Sequence, residues 1–160
     1  MLNFFVTYFD LDMIMDCGQA FRWQKLSEKV WLGIVANKVV RITQRGNEII
    51  IEGDQEASKD FWKDYFDLER DYGQIKHDLL LLAPELADAI QFGSGIRLLN
   101  QDPFEMLITF ILSANNHIPR IKELVRKLSE NYGNEIPNKW ELEMGKAYSF
   151  PTAKRWQKLR

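Results

Sequence analysis

Val30-Trp31-Leu32-Gly33-Ile34-Val35, Val39-Val40-Arg41-Ile42-Thr43 and Ile49-Ile50-Ile51 decide the fold class of this 160-residue chain. The runs are short and rich in β-branched residues, which suit a pleated surface and predict strands. Between them lie Ala36-Asn37-Lys38 and Arg45-Gly46-Asn47, short turn segments in which Gly and Asn tolerate positive φ. Connections this short imply antiparallel neighbours. Phe21-Arg22-Trp23 is expected to add another strand, and Phe4 to Phe9 one more.

From Ser58 onward the apolar spacing becomes helical. Phe61, Trp62, Tyr65 and Phe66 share one face behind a Ser58 cap. Ile75, Leu79 and Leu82 suggest a second helix, stopped by Pro84, which can itself open a short third one through Ile90. Gly93-Ser94-Gly95 interrupts the pattern. The clearest helix start is Asp102-Pro103-Phe104-Glu105: Asp102 can cap, Pro103 tolerates the first position, and Glu105 is placed to complete a capping box. That helix is expected to bury Phe104, Leu107, Ile108, Ile111 and Leu112 as one stripe and to end around Ala114-Asn115-Asn116. Another opens near Ile118-Pro119, burying Ile121, Leu124, Val125 and Leu128, with Gly133 expected as a left-handed C-terminal residue. Pro151 to Arg160 reads as one more helix start. A sheet followed by helices is an α+β architecture.

Composition narrows the function classes. With 46% hydrophobic and 28% charged residues, the chain reads as an ordinary globular protein. A single cysteine, Cys17, excludes an internal disulfide framework and fits a reducing compartment. Two His and one Cys, far apart in sequence, give no zinc spacing, so no metal is expected. The opening Met1-Leu2-Asn3-Phe4-Phe5 lacks a basic region and meets Asp10 early, unlike a signal peptide. No apolar run approaches the roughly 20 residues of a membrane helix. These features read as an intracellular, soluble protein with no membrane partner. The net charge of −2 conceals an asymmetry: residues 1–114 hold 11 Lys/Arg against 18 Asp/Glu, residues 115–160 hold 10 against 5. The basic end suits either a DNA phosphate track or a merely Lys-rich helical surface.

Three segments occur in order: Gly18-Gln19-Ala20-Phe21-Arg22-Trp23, Gly95-Ile96-Arg97-Leu98-Leu99-Asn100-Gln101-Asp102-Pro103-Phe104-Glu105, and Ser113-Ala114-Asn115-Asn116-His117-Ile118-Pro119-Arg120-Ile121. Together with Phe150-Pro151 they resemble the 8-oxoguanine DNA glycosylase family, over nearly the whole chain but about half of a complete member. The resemblance implies a twisted antiparallel sheet with packed helices, of TATA-binding-protein kind, over residues 1–98. It implies the first helices of an incomplete α-helical glycosylase domain over residues 99–160, with Gly93-Ser94-Gly95 as an interdomain turn. About 60 helical residues are few for an independent core, so a partner segment is expected beyond them.

The family bends duplex DNA, extrudes the damaged guanine and cuts its glycosidic bond, because a stacked base is out of reach. The reaction needs a nucleophilic Lys and an Asp, in or just after a helix-hairpin-helix of Leu-Pro-Gly-Val-Gly type. No such element occurs here, so the catalytic pair is expected downstream of Arg160 and this chain alone is expected to be inactive. A Schiff-base lysine must be neutral, whereas Lys122, Lys127 and Lys154 read as surface lysines. No cofactor is implied. The implied partner is double-stranded DNA carrying 8-oxoguanine paired with cytosine, in the nucleoid of a bacterial cell or the nucleus of a eukaryotic one.

Gly18 resembles the glycine whose carbonyl reads the lesion. Guanine offers N7 as an acceptor, whereas the oxidised base carries a hydrogen there. One carbonyl therefore separates the two, since an unpaired buried polar group costs roughly 1–3 kcal/mol. The plainer alternative is a glycine that opens a turn. Asn115, with Asn116, resembles the residues that fill the gap left by the extruded base; a helix-end asparagine is the alternative, and both can hold at once. Arg120 resembles the arginine whose planar fork grips O2 and N3 of the estranged cytosine; otherwise it is a solvated arginine, placed unfavourably against the helix dipole. His117 departs from the asparagine expected there, and Pro119 from a small residue. Phe110 reads as core or pocket wall, with core preferred. Arg22 and Trp23 read as an ion-pair member and a core anchor, while Asp16 and Asp102 are explained by a turn and a cap. The alternative function is a non-catalytic DNA-binding or protein-interaction module derived from the family. An unfinished helical domain would also favour self-association.

Overall fold

The computed structural model describes residues 1–53 and 58–156. Strands β1 (Leu2–Phe5), β2 (Trp23–Ser27), β3 (Val30–Val35), β4 (Lys38–Arg45) and β5 (Glu48–Gly53) form an antiparallel sheet in the order β1-β5-β4-β3-β2. Trp31 lies opposite Ile42, and Ile42 opposite Ile51, so bulky apolar residues meet across three strands. Alternation then divides the side chains. Trp31, Val35, Val40, Ile42, Ile49 and Ile51 enter one core, shared with Leu11, Ile14, Trp62, Tyr65 and Phe66. Leu32 and Val39 enter a second, shared with Ile136, Trp140 and Ala147. The strands read as unbroken apolar runs because the sheet is covered on both faces.

The first cover is α1 (Leu11–Asp16) and α2 (Lys59–Tyr65). Asp10 caps α1 by accepting from the Met13 amide, and Ser58 caps α2 by accepting from the Phe61 amide. Two expected strands are shorter or shifted. Of the Phe4 to Phe9 run only Phe4 and Phe5 lie in a strand, which starts earlier at Leu2; farther on, Tyr8 takes φ 52° and turns the chain toward the Asp10 cap. At Phe21-Arg22-Trp23 the strand begins at Trp23: Arg22 diverts its guanidinium to Glu105 and Phe21 joins a helical cluster. The helix α1 had no expectation attached to it.

The second cover comes from the far end of the chain. A short ladder of β6 (Glu135–Ile136) and β7 (Ala147–Tyr148), with α7 (Glu141–Met144) between them, brings Ile136, Trp140 and Ala147 onto Leu32 and Val39. Gly133 precedes it, and its φ of −83° corrects the expected left-handed cap. Glycine is needed there for another reason: a Cβ would stand 2.0 Å from the Ser149 carbonyl oxygen and 2.5 Å from that of Ser129. In the Pro151 to Arg160 segment, Ala153–Trp156 forms α8, and residues 157–160 lie outside the described residues.

The middle helices are different. α3 (Tyr72–Leu82), a 3-10 turn at Pro84–Leu86 and α4 (Ala87–Phe92) follow the expected breaks, yet none of their residues is buried. α5 (Pro103–Ser113) starts at the Asp102 cap, whose carboxylate accepts from the Phe104 and Glu105 amides. The expected capping box is not completed, because Glu105 turns its carboxylate to Arg22 at 3.3 Å. The expected buried stripe is also corrected: Phe104, Ile108 and Leu112 are half-buried against α6 (Ile118–Tyr132), but Leu107 is 55% and Ile111 60% exposed. Phe110, preferred as core, is 75% exposed. No other described element covers that side of α5, so Thr109 is its sole buried residue. On α6, Ile121 and Val125 are buried as expected, whereas Leu124 and Leu128 are half-buried and Ser129 takes a buried place.

Candidate nucleic-acid interface

Gly18 follows α1 with φ +87°, a conformation that L side chains avoid. A Cβ there would meet Ile118 Cδ1 at 3.6 Å, an ordinary contact, so backbone angle rather than space selects glycine. The same contact places the Gly18 turn against the first residue of α6, one hundred positions later.

Three side chains hold that turn. Gln19 donates from Nε2 to the Arg97 carbonyl at 2.8 Å and accepts at Oε1 from the Leu99 amide at 2.9 Å, in the manner of a paired strand. Gln101 Nε2 donates to the Gln19 carbonyl at 2.6 Å. Arg97, 3% exposed, donates to the carbonyls of Thr7, Tyr8 and Asp67 at 2.7–3.0 Å and lies over the Tyr72 ring. The segment 97–101 is thus fastened to the sheet layer and clasps the Gly18 turn. None of these three residues was singled out from sequence. They lie inside the quoted motifs, but spacing carries no sign of a tie across about 80 positions.

The two asparagines separate. Asn116 folds back, donating from Nδ2 to the Leu112 carbonyl at 2.9 Å and the Ala114 carbonyl at 3.3 Å, so it closes the end of α5. Asn115 adopts φ 57°, is exposed, and makes no side-chain hydrogen bond among the described residues. Arg120 stands in the first turn of α6, exposed and without an ion pair among the described residues. Its guanidinium sits at the positive end of the helix dipole with no internal partner, a placement that favours an external acceptor. Two of the three other cations of α6 are internally matched. Arg126 bridges Glu123 and Glu130, and Lys127 reaches Glu123 at 3.3 Å. The Arg126 hydrogen bonds hold the Glu123 carboxyl down to about 2.

A groove of about 560 Å³ separates α6 from the sheet edge, with Arg22, Trp31, Lys122 and Tyr148 on its walls. Asp16 and Pro119, which also line it, neighbour the Gly18 turn and Arg120 in sequence, while Gly18, Asn115 and Arg120 are not among its lining residues. Beneath this region Arg22 and Glu105 form a buried ion pair. Burial pushes the Glu105 carboxyl upward despite Arg22, and burial likewise lowers the Arg22 guanidinium despite Glu105.

No lysine considered from sequence resembles a desolvated nucleophile. Lys127 is ion-paired, Lys154 is exposed, and Lys122 stands 5.9 Å from the Trp31 ring. Lys76, not considered from sequence, is held below the usual lysine range by burial and the Arg97 guanidinium, but its Nζ bonds the Ser94 carbonyl. Among the described residues no group of three or more His, Cys, Asp or Glu could hold a metal ion, and no helix is long and apolar enough to cross a membrane.

A family profile described as the N-terminal domain of 8-oxoguanine DNA glycosylase matches residues 1–107. The N-glycosylase/DNA lyase of Saccharomyces cerevisiae is 32% identical over 156 residues, covering 88% of this chain and 40% of the relative. The crystal structure of the apo 8-oxoguanine glycosylase/lyase of Clostridium acetobutylicum superposes with a TM-score of 0.84 at 42% identity, covering 95% of this chain and 52% of that one. The structure of the same enzyme with double-stranded DNA containing cytosine opposite 8-oxoG gives a TM-score of 0.84 at 43% identity, covering 94% of this chain and 50% of that one. The chain spans about half the length of these structural relatives.

Proposed function

Since this chain belongs to the 8-oxoguanine DNA glycosylase family, we propose that it serves DNA base-excision repair, contributing the lesion-reading and strand-gripping part of a glycosylase/lyase. The observation that carries this reading is that the Gly18 turn lies beside the start of α6, where a Cβ at Gly18 would stand 3.6 Å from Ile118 Cδ1. A base extruded from a duplex leaves two things to recognise, the flipped purine and the unpaired base opposite. Here the carbonyl-bearing turn and the segment Asn115 to Arg120 lie side by side, as that task requires.

In this reading the Gly18 carbonyl accepts the N7 hydrogen of 8-oxoguanine and repels the N7 lone pair of guanine. Asn115, exposed and uncommitted, enters the gap. Asn116 sets its direction by closing α5, and Arg120 donates to O2 and N3 of the cytosine. The substrate is double-stranded DNA with 8-oxoguanine opposite cytosine, reached in the nucleoid or the nucleus. In this reading none of the residues assigned here acts as the nucleophilic lysine or its aspartate.

Arg120→Ala tests the assignment. In fluorescence anisotropy with a duplex carrying an abasic site, the wild-type chain should prefer cytosine over guanine opposite the site. The variant should lose that preference, roughly tenfold for a bidentate contact worth about 1–3 kcal/mol. An unchanged preference would refute the role. Binding should be weak, because few phosphates are neutralised, and should fall with salt only in proportion to that small number. The chain alone should leave 8-oxoguanine DNA intact, and a borohydride-trapped adduct would overturn that.

The second reading, a non-catalytic binding module, draws on Leu107, Phe110 and Ile111, whose exposure gives α5 an apolar face fit for self-association or a protein partner. A monomer in sedimentation at high concentration would remove the self-association.

A further inference from the structure

His117 stands where the family likeness leads one to expect asparagine, and the function proposed above leaves it unused. It is the N-cap of α6, with φ −94° and ψ 157°. The Arg120 amide donates to the His117 carbonyl at 2.9 Å and shares its hydrogen with the imidazole Nδ1 at 3.4 Å. Nδ1 accepts only in the neutral ring with its proton on Nε2. Pro119 brings no N–H to this helix end, and the first turn holds no acid. A cation at the cap would therefore face the positive end of a 15-residue helix dipole and the Arg120 guanidinium beyond it. The turn after α1 brings one carboxylate, Asp16, into the groove that Pro119 also lines, whereas α6 itself adds Arg120 and Lys122 and α5 carries no charged side chain from Met106 to Ser113.

We propose that His117 is a positioning residue for Arg120, holding the first turn of α6 when neutral and releasing it when protonated. The physical reason is that one ring nitrogen changes from acceptor to donor while a positive charge arrives where the helix least tolerates it. Histidine is the side-chain type that makes this change between pH 5 and 8. Ile118 lies between His117 and Arg120 and stands where a Cβ at Gly18 would meet it, so release loosens both proposed recognition elements at once. The consequence for cytosine recognition rests on the reading of Arg120 given above; the cap itself does not.

Amide hydrogen exchange on the free chain tests the cap without DNA. After correction for intrinsic exchange, protection of the Arg120 and Ile121 amides should fall about three- to tenfold from pH 8 to pH 5, the size expected for a lost cap. His117→Asn, a good cap that does not titrate, should stay protected at both pH values. His117→Ala should be unprotected at both, while amides around Trp62 report that the core is intact. A wild-type chain without pH response, a response that persists in H117N, or an H117A variant as protected as wild type would each overturn the proposal. Anisotropy with abasic duplexes then separates the two readings. The preference for cytosine over guanine should fall at pH 5 in wild type and hold in H117N. Loss of protection with no cytosine preference at any pH would leave the cap standing and remove the Arg120 assignment. A cytosine preference equal in wild type and H117A at pH 8 would remove the positioning role.

Discussion

The sheet layer and the helices α3 to α5 have similar apolar content and opposite fates. In the sheet layer, Trp31, Trp62, Phe66 and Ile42 are at most 1% exposed, because helices cover one face and the β6–β7 segment the other. In α3, the 3-10 turn and α4 nothing is buried, although Leu79, Leu80, Leu81, Leu82 and Leu86 lie there. The contrast teaches that an apolar stripe states what a helix can bury. Whether it is buried depends on a second surface arriving opposite it. The proposed recognition residues stand near the border between these regions: Gly18 is fastened to the buried layer, Asn115 follows the end of the uncovered α5, and Arg120 opens α6.

Replacing one large residue in each region should expose this contrast most strongly. Trp62→Ala should lower unfolding free energy by about 3–5 kcal/mol through cavity formation. Phe110→Ala, at 75% exposure, should stay within about 0.5 kcal/mol of wild type. Urea unfolding of both variants decides the matter, and a Phe110 cost near that of Trp62 would mean that the face of α5 is covered in solution.

Next in size is the acid sensitivity of the sheet layer. Burial alone would raise the Asp12 carboxyl, but the Trp31 indole at 2.6 Å, Lys25 and the Lys29 amide outweigh it and hold it below the ordinary value of 3.8. A lowered folded-state value means the stabilisation is complete above the unfolded carboxylate range and disappears as pH falls through the folded value. Asp12→Asn should therefore be less stable than wild type at pH 7, with the gap in urea midpoint closing toward pH 2. A constant gap would show that the charge is irrelevant.

The smallest contrast is between caps. Ser58 and Asp71 accept from the Phe61 and Gln74 amides at 3.2 and 2.9 Å, so the bonds are alike. Ser58→Ala should cost about 1 kcal/mol globally because α2 is locked into the core. Asp71→Ala should raise hydrogen exchange in α3 while barely moving the global midpoint, since α3 can open by itself. Equal global losses would mean that α3 unfolds together with the sheet.

The residues responsible show how much of this was legible. The three apolar runs with their short turns sufficed for β3, β4 and β5, since strand period and turn length are local properties. The Asp102 and Ser58 caps were legible for the same reason. The Gly18, Asn115 and Arg120 assignments came from likeness to a family, and the placement of Gly18 beside Ile118, which lies between the other two in sequence, is a fact of the tertiary structure. Gln19, Gln101 and Arg97 escaped notice because their partners are backbone groups far along the chain, and any chain segment offers those.

Local chemistry thus determined the β3–β4–β5 hairpins and the helix starts, because each depends on neighbours within a few positions. The choice of buried face, the reason for glycine at position 133 and the diversion of Glu105 to Arg22 were decided only when distant segments met. Burial, close approach and charge pairing are properties of surfaces in contact, and those surfaces come into being only with the folded chain.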